Sequence, residues 1–131
     1  MTRATITPAA PTQFSRVMGL GAVRGELVVT NDDIAGPIDS SDEWIRQRTG
    51  IVTRRRAPGD VDVIDLSEQA AREAIENAGL SPADIDVVIL STVTWFHQTP
   101  AGAAVLADRL GATPAAAFDI SAACAGYTYG I

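Results

Sequence analysis

The chain has one cysteine, Cys124, set in the run Ser121-Ala122-Ala123-Cys124-Ala125-Gly126-Tyr127. Alanines on both sides and a glycine two residues on leave room for a substrate carbonyl to reach the sulfur. The apolar stretch 115–120 reads as a buried strand, and the run to Ile131 reads as the first two turns of an apolar helix. Cys124 is therefore expected at a strand-to-helix turn, where the helix dipole and free amides favour thiolate and can hold an oxyanion. That is a nucleophile elbow in outline. The residues alone leave a second reading open, an inert cysteine packed among alanines.

Other residues offer different chemistry. Arg46, Arg48, Arg54, Arg55 and Arg56 fall within eleven residues of a chain whose net charge is -6, and Trp44 stands beside them. A flat indole next to guanidinium groups suits a nucleotide tail or an acidic protein surface. Residues 54–63 read as a loop, which makes solvation the plainer fate for most of the Arg54 to Arg56 run. His97 is the only histidine, so a Cys124/His97 thiol hydrolase is one bottom-up reading. Asp119, at the end of a strand, is expected to accept hydrogen bonds from turn amides. Nothing has metal-ligand spacing, and no glycine pattern suits a phosphate or dinucleotide loop.

The elements that must position these groups follow from pattern. Residues 16–23 (RVMGLGAV) suit a strand that something approaches closely, with Gly19 and Gly21 inside it. Leu27 to Thr30 make a second short extended piece. Ser40-Ser41-Asp42-Glu43 matches a capping box, Ser40 covering a free amide while Glu43 reaches back, and Gly50 closes that helix. Leu66, Ala70, Ala71, Ala74, Ile75 and Ala78 recur at helical spacing before Gly79. Pro82 to Asp84 form one capped turn, and residues 87–90 (VVIL) a strand covered on both faces. Thr99-Pro100 opens a helix carrying Val105, Leu106 and Leu110 and ending at Gly111. Helix, strand, helix, strand in that order implies a parallel sheet and an α/β fold.

At 131 residues, 47% hydrophobic and 20% charged, the chain suits one modest domain with a core. An acidic balance argues against a nucleic-acid partner, which would need surplus cations. Residues 1–15 are expected to be a flexible tail, and the opening lacks the apolar core of a secretory signal. No apolar stretch reaches the roughly 18 residues of a membrane span. A single thiol in such a chain points to a reducing, cytoplasmic setting.

Two stretches carry a family resemblance. Residues 119–130 (DISAACAGYTYG) closely resemble the nucleophile segment of β-ketoacyl-acyl carrier protein synthase III. Residues 40–51 (SSDEWIRQRTGI), preceded by Thr30-Asn31-Asp32, resemble that family's N-terminal signature. The resemblance covers residues 16–131. It implies the N-terminal half of a thiolase-like fold, layered αβα with a mixed, largely parallel sheet, truncated after the elbow. It makes Cys124 the nucleophile that takes an acyl group from acyl-CoA. The resemblance further implies that Trp44 stacks on the adenine of coenzyme A, that Arg48 meets its phosphates, and that Thr49 lies with them at the mouth of a tunnel ending at Cys124. Thr99 lines the acyl pocket where some members carry a bulky aromatic, leaving space for a primer longer than acetyl.

By the same resemblance the catalytic His and Asn come from a second half of the chain, which removes the Cys124/His97 dyad and leaves these residues alone without condensing activity. The second substrate is malonyl-acyl carrier protein, and exposed arginines could help dock that acidic partner. Acyl-CoA is a substrate, and no metal or organic cofactor is implied. The full-length family is homodimeric. Two other readings remain, a polyketide starter or other thiolase-fold acyltransferase, and a non-catalytic dimerisation or acyl-CoA-binding fragment.

Overall fold

The computed structural model describes residues 14–131, so most of the expected tail, 1–13, lies outside the described residues. The chain forms β1 (Leu27–Thr30), α1 (Asp32–Ala35), α2 (Asp42–Thr49), β2 (Thr53–Arg56), α3 (Val63–Ala78), β3 (Val87–Ser91), α4 (Gly102–Leu110), β4 (Ala116–Ile120) and α5 (Gly126–Gly130). One 3-10 turn, Pro82–Asp84, precedes β3, and another, Ala123–Ala125, precedes α5. Gly50, Gly79 and Gly111 end α2, α3 and α4 in the left-handed conformation, as their places in the sequence imply.

Two sheets result. β3 and β4 pair in parallel, Val87 opposite Ala116 and Leu90 opposite Asp119. β1 and β2 pair antiparallel, Leu27 opposite Arg56 and Thr30 opposite Thr53. Antiparallel and parallel pairs are thus both present, but in separate sheets. The arginine run expected as a loop is a strand, although Arg55 and Arg56 are exposed as expected: Arg54, Arg55 and Arg56 face Val29, Val28 and Leu27 across the ladder. A uniformly charged stretch shows no alternation of its own, and its extended form comes from the β-branched partner strand.

The core gathers where α4 lies on β3 and β4 with α3 alongside. Ile64, Val88, Leu90, Ala103, Leu106, Ala107, Leu110 and Ala112 are buried together. Ile64 is wholly enclosed, a burial that contributes about 1.5–3 kcal/mol. Only one face of β3 is covered: Val88 and Leu90 are buried, whereas Val87 and Ile89, with Phe118 on β4, are exposed. The strand expected to be covered on both faces is therefore half-covered among the described residues.

Residues 16–23 form no strand. Their polar groups go to a helix instead: the Ala22 N–H donates to Glu73 Oε2 at 2.8 Å, and Asn77 Nδ2 donates to the Leu20 carbonyl at 2.8 Å. The close approach foreseen at the two glycines is real. A Cβ on Gly21 would lie 2.0 Å from the Ala70 carbonyl oxygen, and one on Gly19 2.2 Å from that of Ala74.

Candidate active site

β4 ends at Ile120, and the chain turns at once. Ala123 adopts φ 45°, an unfavourable value for a residue with a side chain. The 3-10 turn that follows carries Cys124, which is exposed. Two backbone bonds close the turn, Ala125 N–H to the Ala122 carbonyl and Gly126 N–H to that of Ala123. The Cys124 amide takes no part in them. Its neighbours Ala123 and Ala125 are exposed as well, so the sulfur stands in the open with small groups around it.

Gly126 fixes how close this turn sits to the sheet. It is buried at the start of α5, and a Cβ there would lie 1.8 Å from Ser91 Oγ and 3.2 Å from Ser91 Cβ. Asp119 anchors the approach from the other side. Its Oδ2 accepts from Gly102 N–H at 2.8 Å and its Oδ1 from Ala103 N–H at 2.7 Å. The expected structural task is confirmed, but the amides belong to the start of α4, whose own N-cap, Ala101, has no side chain to offer.

The second cluster is built on the excursion between β1 and β2. Asn31 leaves the end of β1 and is 1% exposed. Its Nδ2 donates to Asp42 Oδ1 at 2.7 Å and to the Ile51 carbonyl at 2.8 Å, while its Oδ1 accepts from Arg54 Nη1 at 2.7 Å. Ser41, not Ser40, caps α2, its Oγ accepting from Trp44 N–H at 3.1 Å. Glu43 does not reach back; it accepts from Gln47 one turn on. Two adjacent serines made the cap ambiguous by one residue. The Arg46 guanidinium, and after it the Asn31 amide, hold the Asp42 carboxyl below the usual carboxylate range.

On that helix Trp44 is 53% exposed, with the Arg48 guanidinium 5.4 Å from its ring centre, within cation–π range. Trp44 borders a surface cavity of about 530 Å³ together with Ile38, Asp39, Ser40 and Ser41. Ser40 Oγ is buried there and has no hydrogen-bond partner. Sequence reasoning spent this serine on the cap and so missed a free hydroxyl beside the cavity. The Thr49 hydroxyl is already committed, donating to the Ile45 carbonyl at 2.7 Å and accepting from Ile51 N–H at 3.1 Å.

Thr99 is exposed in the loop between β3 and α4. His97, in the same loop, packs at a tilt against Trp95 with ring centres 4.5 Å apart. Trp44 and Arg48 are thus brought together, while no hydrogen bond among the described residues joins Thr99 or Cys124 to α2. The described residues contain no group of three or more His, Cys, Asp or Glu placed to share a metal, and no helix long and apolar enough to cross a membrane.

No protein-family model matches the chain. Relatives and solved structures do. The chain is 59% identical over 128 residues to β-ketoacyl-[acyl-carrier-protein] synthase III of Kocuria rhizophila, a match covering 98% of this chain and 36% of that protein. The priming β-ketosynthase of a polyketide biosynthetic pathway superposes with a TM-score of 0.86 at 43% identity, over 95% of this chain and 37% of its own. The 3-oxoacyl-[acyl-carrier-protein] synthase III of Aquifex aeolicus does so with a TM-score of 0.80 at 42% identity, over 86% of this chain and 36% of its own. The fold is accordingly thiolase-like over the part present, and the chain spans about 36% of the length of the first of these relatives.

Proposed function

We propose that this homologue of the β-ketoacyl-acyl carrier protein synthase III proteins carries the nucleophile and part of the coenzyme A grip of an initiating condensing enzyme. The observation that carries the reading is the exposed Cys124 in a tight, small-residue turn directly after β4. Its thiolate attacks the carbonyl of an acyl-CoA, a carbon–sulfur bond forms to Cys124, and coenzyme A leaves as its thiolate. Malonyl-acyl carrier protein then loses carbon dioxide, and the resulting enolate attacks the acyl group. The product is 3-ketoacyl-acyl carrier protein, and Cys124 is released. Trp44 and Arg48 take the nucleotide end of coenzyme A, with the unpaired Ser40 hydroxyl offering a further hydrogen bond at the cavity. Thr49 acts by closing α2, and Thr99 borders the acyl group. The complete enzyme is a cytoplasmic homodimer. The 131 residues alone accept an acyl group at most, since catalytic groups act as a unit.

A second reading is favoured by one finding: the polyketide priming enzyme superposes with a TM-score of 0.86, so a polyketide starter reaction on the same cysteine is the alternative. Intact-mass spectrometry after incubation with acyl-CoAs of several lengths tests the shared step. The expected result is one acyl mass on the longest form of the protein that its gene encodes, lost in Cys124→Ala. A folded protein that no acyl-CoA acylates would overturn the reading. Turnover with malonyl-acyl carrier protein then separates the fatty-acid from the polyketide assignment.

A further inference from the structure

We infer that Asn31 is a positioning residue for coenzyme A, holding the helix that presents Trp44 and Arg48. This rests on the reading of α2 as part of the coenzyme A site. The chain leaves the β1–β2 sheet after Thr30 and returns to it at Thr53, and α2 rides on the excursion between. Asn31 closes the base of that excursion. One proton of its amide goes to Asp42, the first residue of α2, and the other to the carbonyl of Ile51, just past the Gly50 cap. A single NH2 group therefore tethers both ends of the helix. Its oxygen meanwhile receives Arg54 from β2, which ties the helix to the sheet and draws that cation inward from the arginine cluster.

The residue type is dictated by this arrangement. Two donors and an acceptor on one short, planar, uncharged group are what an asparagine supplies, and an aspartate of nearly the same shape supplies neither donor. With the group 1% exposed, nothing from solvent replaces a lost bond. Beyond the side-chain pairs within it, Arg46 with Asp42 and Gln47 with Glu43, the helix has its N-terminal cap, its C-terminal glycine and one buried apolar side chain, Ile45, to fix it. Trp44 lies in the first turn, next to the Asp42 tether, so movement of that turn moves the indole bordering the cavity.

The test is calorimetric titration of coenzyme A into the protein, in the longest form its gene encodes, for four variants: wild type, Asn31→Asp, Trp44→Ala and the double substitution. Asn31→Asp is expected to weaken binding by about tenfold in the wild-type background and to have little further effect once Trp44 is gone. Alkylation of Cys124 by iodoacetamide, a small reagent that needs no nucleotide grip, should proceed at the same rate in wild type and Asn31→Asp. Equal weakening in both backgrounds, or altered alkylation, would make Asn31 a general support of the fold and overturn the inference. Undiminished binding by Asn31→Asp would overturn it alone, leaving the coenzyme A site standing. Failure of wild type to bind coenzyme A would overturn the site and the inference together. Should Asn31→Asp not fold, Asp42→Ala removes the helix-side acceptor from a surface position and is expected to show the same dependence on Trp44.

Discussion

The α2 region and the Cys124 turn are held by opposite means. Around α2 the geometry is written in polar side chains: Asn31, Asp42, Ser41 and Arg54 each spend a specific donor or acceptor. Around Cys124 it is written in missing side chains, with Gly126 pressed against Ser91 and alanines leaving the thiol open. Among the described residues, the charged group that borders the turn, Asp119, does so from the preceding strand and acts on α4. Hydrogen bonds around α2 can be exchanged for others, whereas the approach of Gly126 to Ser91 leaves no space for an added Cβ.

The contrast can be broken most sharply at Asp119. Asp119→Ala leaves two amides at the start of α4 without their charged acceptor, and urea unfolding should show a loss of about 2–3 kcal/mol, with Asp119→Asn recovering part of it. Gly126→Ala should cost about 1–2 kcal/mol through the contact with Ser91. Adding Ser91→Gly in the same chain should return most of that, which no hydrogen-bond account of the turn would predict. On the α2 side, Ser41→Ala removes the cap on Trp44 N–H and should cost about 1 kcal/mol, read by the same unfolding experiment.

The smallest effect is one of pH. The Asp42 carboxyl sits below its ordinary value of 3.8, so its contribution is present above that value and is lost as pH falls through the depressed one. Thermal unfolding followed on acidification below 3.8 should be less steep for Asp42→Asn than for wild type. Asp33, Asp65 and Asp84 are lowered too and act in the same direction.

Much of this was legible in the sequence where a periodic pattern meets a terminator. α3 and α4 declare themselves by apolar spacing and a closing glycine, and β3 and β4 by short apolar runs. The turn around Cys124 was legible because small residues between a strand and a helix have few other uses. Pairwise facts were not. β2 is a strand through its ladder with β1, which no composition of three arginines announces, and residues 16–23 look like a strand but give their hydrogen bonds to Glu73 and Asn77. Asn31 stood in a motif without any sign that it would be buried, because its three partners lie 11 to 23 residues away. α1, only four residues long, carries no readable period.

The grip of Asp119 on Gly102 and Ala103 also sets the register of the parallel pair. Successive side chains of a strand point to opposite faces, and Asp119 lies opposite Leu90, which is buried toward α4. Sliding β4 by one residue would present Phe118 or Ile120 to the two amides, and neither can accept a proton. The carboxylate therefore works as an index mark against a one-residue slip of β4, and so helps to place the point along β3 where the chain ends its strand and releases Cys124.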